Sequence, residues 1–384
     1  MSRARSRLSE MTVAAAGQEQ GQKTGRREAI PVPFFYRWLR SMLFEMDPEE
    51  AHTLAIQLAP VAAAMTSGPF VDPCLETSVA GVRFANPVGL AAGFDKNGRL
   101  TSCLSKFGFG FAEIGSITGQ SSSGNPKPRL FRLVDDEAVI NRLGLNGDGA
   151  SVVAQRLAGA GFSLPVGVNI AKTNHPSIKA EKGVADMLHS FECIKDLPLA
   201  FVTLNASCPN THEGIMQESE ELDQILSGVQ RLNVRNVPVL LKLSPDSTSE
   251  LLETFVASAS RYGIKGYVLG NTTTTRGGLR TPISKVAAMG NGGLSGRPLR
   301  EKALDLVKRV YKIKQKDQSI IGCGGISSGA DVFEFIANGA NAVELYTGLI
   351  YGGPDLPLRI NRQLAALLRQ KGLTAETALG CAEN

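Results

Sequence analysis

Residues 201–214 read FVTLNASCPNTHEG, an apolar run that stops abruptly in amides, a hydroxyl, a thiol and a proline. A short run of this kind, rich in aromatic and β-branched residues, predicts a strand buried on both faces. Cys208 lies beyond the run, beside Pro209 and flanked by polar residues, where a cysteine serving only as apolar filler has no reason to sit.

The same pattern repeats along the chain. VGLAAG from Val88, FAEIGSIT from Phe111, LPVGVNIA from Leu164, PVLLKLS from Pro238, GYVLGNTT from Gly266, SIIGCGGI from Ser319 and AVELYTGL from Ala342 bring the total to eight segments. Amphipathic stretches such as ELLETFVASASRYG separate them. Near-continuous apolar strands alternating with helices imply an α/β fold with a parallel sheet. Eight such units favour a closed (β/α)8 TIM barrel, with an open doubly wound sheet as the alternative.

Composition suits one large core: 384 residues, 43% hydrophobic and 20% charged. A net charge of +5 is small for this length, and no basic patch is interleaved with aromatics, so no nucleic-acid partner is expected. The six cysteines (Cys74, Cys103, Cys193, Cys208, Cys323 and Cys381) form no CxxC pair, which argues against a zinc site or a disulfide framework and for a reducing compartment. The four histidines lack ligand spacing, so no metal is expected. Residues 1–30 are polar and lack the apolar core of a secretory signal, predicting a disordered tail. No apolar run approaches the roughly 18 residues of a membrane span.

If the strands close into a barrel, their C-terminal ends ring the active site. Those ends supply Lys96, Ser116, Asn169 with Lys172, Asn205 with Cys208 and Asn210, Lys242, Asn271 with Thr272, Gly324 with Gly325, and Tyr346 with Thr347. Such a ring suits a polar, anionic ligand. Glycines in GCGGIS, ahead of a helix, free backbone amides for a phosphate after strand seven, and ELYTGLIYGGP offers a second such site after strand eight. Lys242 inside VLLKLSPD is costly to bury without a counter-charge, which an anionic ligand would provide. Cys208 is read as nucleophile, general base or filler; the absence of a Cys/His arrangement weakens a hydrolase and leaves proton abstraction open.

Residues 31–70 differ in kind. Phe35, Trp38, Leu39, Met42 and Leu43 recur at helical spacing, with Arg37 and Arg40 on another face. Asp47 then caps a second helix with Pro48 in its first position and Glu50 as the capping-box acid. The expected element is an amphipathic helical hairpin ahead of a barrel spanning residues 71–384. It serves either as ordinary packing against the barrel or as an anchor at a lipid headgroup boundary.

The motifs NPVGLAAGFDKNG, FGFGFAEIGSIT, GNPKPRLFRL, INRLGLN, NASCPNT, LLKLSPD, GNTT, GGLSGRPL, IIGCGGISSG and ELYTG occur in this order, and with them the chain resembles the dihydroorotate dehydrogenase family from about Phe34 to the last barrel helix. The resemblance implies FMN at the barrel mouth and oxidation of dihydroorotate to orotate. It assigns the flavin to Ala92, Gly93, Lys96, Ser116, Asn169, Asn205, Lys242, Gly270, Gly296, Gly325, Tyr346 and Thr347. It assigns the substrate to Lys96, Asn141, Arg142, Leu143, Gly144, Leu145, Asn205, Asn210, Asn271 and Thr272, with Cys208 at the base position.

The hairpin, DPEEAH with His52, RLFRL with Arg132, and Tyr346 resemble the membrane-associated, quinone-reducing type, these three residues lying along its quinone tunnel. Cys208 instead resembles the soluble types, which reduce fumarate or NAD, where the quinone type carries serine. Leu145, Thr173, Gly270 and the NTHEGIM loop also depart from the quinone pattern. The hairpin carries more weight, because a thiol keeps the proton-accepting role of a serine whereas a soluble enzyme has no use for the extra helices. The expected partners are dihydroorotate and orotate, a membrane quinone and a membrane surface, with no obligate protein partner. The expected location is the cytoplasmic face of a bacterial membrane, or the mitochondrial inner membrane if the tail is a targeting peptide. A barrel that binds flavin without catalysis is the alternative from another class.

Overall fold

The structure, a computed structural model, describes residues 32–66, 68–205 and 219–382. Among them eight parallel strands close into a barrel. In chain order they are β1 (Val88–Leu90), β2 (Phe111–Ile117), β3 (Val166–Ile170), β4 (Phe201–Asn205), β5 (Val239–Leu243), β6 (Gly266–Leu269), β7 (Ser319–Cys323) and β8 (Ala342–Leu345). Each is the apolar core of one of the eight sequence segments. Pairing of Val343, Glu344 and Leu345 on β8 with Val88, Gly89 and Leu90 on β1 joins the last strand to the first. That closure excludes the open-sheet alternative. Strands buried along their whole length, such as the five residues of β5, need cover on the outside, and helices such as Glu181–Ile194, Ser249–Arg261 and Arg300–Ile313 supply it.

The N-terminal end of the barrel is sealed. An antiparallel pair, Thr77–Val79 with Val82–Phe84, lies across it, and Phe84 stacks on Phe111 with ring centroids 4.4 Å apart. Phe111 and Phe201 fill the interior beside glycines: a Cβ on Gly89 would lie 2.3 Å from Phe111, and one on Gly167 2.2 Å from Phe201. Large side chains set against absent ones fill the taper. With this end plugged, the C-terminal mouth is the open end of the barrel.

Two additions frame the mouth. The first is a three-stranded antiparallel sheet of Leu130–Leu133, Ala138–Asn141 and Gly293–Gly296, which the sequence reading did not expect as strands. It carries Asn141 and Gly296 to the rim. The second is the expected hairpin, α1 (Phe34–Glu45) and α2 (Pro48–Ala64). Asp47 caps α2 as anticipated, accepting from the amides of Glu49 at 2.9 Å and Glu50 at 3.2 Å. Arg132 closes the turn between the helices by donating to the carbonyls of Phe44 and Met46, favourable for a cation at a helix C-terminus. Phe34, Phe35, Trp38 and Met42 of α1 face solvent, each more than half exposed, while Leu39 and Leu43 turn partly toward the protein. The stripe is therefore split between packing and a free apolar face. The expected tail, residues 1–30, lies outside the described residues.

Candidate active site

The mouth opens into a cavity of about 1140 Å³, counting its open entrance. It is lined by Ala92, Gly93 and Lys96 after β1, Ser116 at the end of β2, Asn205 on β4, Lys242 on β5, Gly270, Asn271 and Thr272 after β6, Gly325 after β7, and Tyr346 and Thr347 after β8. Asn141, Leu143, Gly144 and Leu145 enter from the rim, with Gly296 from the small sheet. Residues up to 255 positions apart thus share one wall because parallel strands all deliver their C-terminal ends to the same face.

Lys242 sits in the floor, only 5% exposed, and donates to Glu113 Oε2 at 3.3 Å; Glu344 Oε2 lies at 3.9 Å. Burial alone would lower its pKa, but the two acids, Glu113 first, outweigh that and raise it, which favours the ammonium. Lys96 behaves in the opposite way. It has no ion pair within 4 Å among the described residues; burial is the main cause that brings its pKa down to about 8, while the more distant charge of Glu49 partly opposes the shift. Glu49 is itself gripped by Arg129 through two hydrogen bonds of 2.9 and 2.7 Å.

A line of amides and hydroxyls crosses the wall. Asn271 Nδ2 donates to Asn205 Oδ1 at 3.5 Å, Asn205 Nδ2 to Ser116 Oγ at 3.3 Å, Ser116 Oγ to Asn169 Oδ1, and Asn169 Nδ2 to Glu113 Oε1 at 3.1 Å. This chain ends at the acid that holds Lys242, so the orientation of the amides is tied to the charge in the floor. Two buried lining oxygens, Asn146 Oδ1 and Thr272 Oγ1, have no hydrogen-bond partner among the described residues. Buried polar atoms are rarely left so, and donors on a bound ligand would complete them. Asn146 follows Leu145, which is held at a φ of 57°, a strained conformation for a branched side chain.

Beside Thr347 the wall is backbone. Gly296 has a φ of 98°, and a Cβ there would lie 2.4 Å from Glu137 O; Gly325 has a φ of 67°, and its Cβ would lie 2.5 Å from Arg300 Cβ. Only glycine fits either position, and the bare amides they leave form a concavity suited to a phosphate.

Four expected residues stand elsewhere. Asn169 is fully buried behind Ser116, one layer back from the cavity. Arg142 is turned away: its guanidinium donates to Asn291 O at 3.0 Å and Pro128 O at 2.8 Å and rests on the ring of Phe131, while its amide donates to Arg129 O. Both its side chain and its amide are committed to holding the rim sheet. His52 and Arg132 do not line the cavity either. His52 Nε2 donates to Phe94 O at 3.0 Å, and its ring meets Phe94 edge to face, which in turn meets Tyr346. The hairpin thus reaches the cavity wall through a relay of rings, whereas Arg132 lies under α1. Cys208 and Asn210 lie outside the described residues. The sequence reading missed Glu113, Asn146, Cys323 and Glu344; a carboxylate inside an apolar strand, as in FAEIGS and AVELYT, is the signal that could have found two of them.

Fold and mouth together define a (β/α)8-barrel protein with a cationic, amide-rich site at the C-terminal ends of its strands. The chain belongs to the dihydroorotate dehydrogenase family, whose model matches residues 74–368. It is 40% identical over 357 residues to the dihydroorotate dehydrogenase (quinone) of Gloeobacter violaceus, covering 90% of this chain and 99% of that protein. It is 41% identical to the protein of the same name from Brucella anthropi, over 88% of this chain and 93% of that one. Among solved structures, the ligand-free dihydroorotate dehydrogenase of Eimeria tenella superposes with a TM-score of 0.80 at 33% identity, over 88% of this chain and all (100%) of that one.

Proposed function

We propose that the protein oxidises (S)-dihydroorotate to orotate in pyrimidine biosynthesis, with FMN in the barrel mouth and a membrane quinone as electron acceptor. The observation that carries this reading is the pairing of Lys96 and Lys242 in one cavity, with a wall of amides between them, in a chain of the dihydroorotate dehydrogenase family. The acceptor follows from relatives named dihydroorotate dehydrogenase (quinone) and from α1–α2, which touches the cavity wall through His52, Phe94 and Tyr346.

The oxidation removes a proton from C5 of the substrate and a hydride from C6, leaving a double bond. FMN, when bound, supplies the acceptor for that hydride and the donor of both electrons to the quinone. The bare amides at Gly296 and Gly325, with Thr347, would hold its phosphate, while Ala92, Gly93, Ser116 and Lys242 would meet its ring system. Lys242 places a fixed positive charge where negative charge accumulates, and no reorganisation is needed because Glu113 already holds it. Lys96 would pair with the substrate carboxylate. Asn141, Asn205, Asn210 and Asn271 would match the alternating carbonyl and N–H edge of the pyrimidine, and Thr272 would add its hydroxyl. Cys208 would accept the C5 proton; a free thiol, at about 8.5, is close enough to neutrality for that task.

Among the described residues no helix is long and apolar enough to cross a membrane. The proposed attachment is peripheral, at the cytoplasmic face, through Phe34, Phe35, Trp38 and Met42. Each such side chain taken fully out of water is worth about 1.5–3 kcal/mol. The test begins with colour: purified protein should be yellow, bleach anaerobically on addition of dihydroorotate, and regain colour faster with a quinone than with fumarate. Protein that never retains flavin defeats the reading, and recovery with fumarate alone defeats the choice of acceptor.

A further inference from the structure

Beneath the cavity mouth, three charged-type side chains from three strands meet in the floor: Lys242 on β5, Glu113 on β2 and Glu344 on β8. The two acids are equally buried, at 0% and 1% exposure, yet differ in what reaches them. Glu113 accepts from Asn169 Nδ2 on one oxygen, at 3.1 Å, and from Lys242 Nζ on the other, at 3.3 Å. Among the described residues neither oxygen of Glu344 has a donor within hydrogen-bond distance, and the ammonium 3.9 Å away is already engaged by Glu113. Among the described residues Cys323, its register neighbour on β7, is the remaining titratable group facing the cluster. Burial first, and then the neighbouring acids, hold that thiol neutral, near 12.

A carboxylate that is fully buried, donorless and beside a second carboxylate is a costly arrangement; the ordinary solution is to keep one proton between the two acids. We infer that Glu344 is held as a neutral carboxylic acid in the cavity floor, donating its proton to Glu113, and acts as a positioning residue for Lys242. Burial and then the charge of Glu113 push its carboxyl well above the usual range, in line with this assignment. The consequence for Lys242 is a matter of charge count. With Glu344 neutral, one ammonium faces one carboxylate and the floor carries no net charge; with both acids ionised it would be negative and would repel an anionic ligand. The link to redox chemistry rests on the proposed flavin site, whereas the protonation itself does not.

Infrared difference spectroscopy on the purified full chain at neutral pH separates the two. Wild type minus Glu344→Gln should contain the carbonyl band of an un-ionised acid, shifted in D2O, and the same band should be missing from Glu344→Leu should the amide variant not accumulate. If the variants lose a carboxylate band instead, Glu344 is ionised and the inference is overturned. The positioning role is read from the midpoint potential of bound flavin against pH. Wild type should show an additional break where Glu344 gives up its proton, and Glu344→Gln should lack it while Glu344→Asp restores it. An identical profile in wild type and Glu344→Gln rules out the positioning role. Absence of flavin from wild type and variants alike would count against the proposed function and leave the infrared result to decide the protonation.

Discussion

The two lysines of the cavity share a residue type and a neighbourhood but not a charge state, and the difference comes from what stands within 4 Å of each. Lys242 has acids from two strands beside it, Glu113 within hydrogen-bond reach, and its pKa is raised. Lys96 has burial, opposed by the more distant charges of Glu49 and Asp95, so its pKa is brought down to about 8. The sign follows directly: below about 8 Lys96 is positive and attracts a carboxylate, and above it the attraction fades. Orotate affinity, measured by fluorescence or calorimetry, is therefore expected to fall as pH rises through 8 and beyond, and Lys96→Met should bind weakly with no such dependence. A flat profile in wild type would remove Lys96 from the binding set. Glu344 belongs at the same scale, since one proton on one acid determines the charge of the floor.

At the scale of elements, the hairpin is held by charge on one side and left apolar on the other. Arg129, 7% exposed, grips Glu49 of α2, and Arg132 grips the end of α1. Tyr36 donates to Ile350 O at 2.9 Å and Arg40 to Tyr351 O at 2.7 Å, binding α1 to the segment after β8. Arg129→Ala leaves a half-buried carboxylate with no comparable partner and should cost about 3 kcal/mol, at the lower end for breaking a buried pair, visible as a lowered thermal midpoint and faster proteolysis within α1–α2. Removing residues 1–66 altogether should abolish liposome co-sedimentation and quinone-supported turnover while dihydroorotate still bleaches the flavin. Retention of lipid binding by the shortened chain would mean that the exposed stripe of α1 is not the anchor. Sequence periodicity revealed both helices and the Asp47 cap, because those are local; it could not reveal which face the barrel covers, because Arg129 and Ile350 lie far away in the chain.

For the whole molecule, the decisive event is closure. Eight strands must arrive in register with one end plugged, and the plug depends on glycines standing opposite phenylalanines. Gly89→Val would drive a side chain into the ring of Phe111 and should destabilise the fold by about 1–3 kcal/mol or more through overpacking, measurable by denaturant unfolding. Because the clash is at the sealed end, far from the mouth, flavin retention by the folded fraction should survive; if it does not, the sealed end and the site are coupled more tightly than their separation implies.

The amino-acid order alone determined the eight buried strands, the helices between them, the hairpin and the polar character of the strand ends, because each is written in the spacing of neighbouring residues. Only the tertiary structure decided that Glu113 and Glu344 face Lys242, that Arg142 turns away from the cavity, that Asn169 stands behind Ser116, and that RLFRL and GGLSG join in one small sheet. Those outcomes depend on pairs separated by up to 158 positions, Ala138 with Gly296 among them. Local spacing carries no record of which distant strands closure will bring together, nor of the charges each side chain will then have to neutralise.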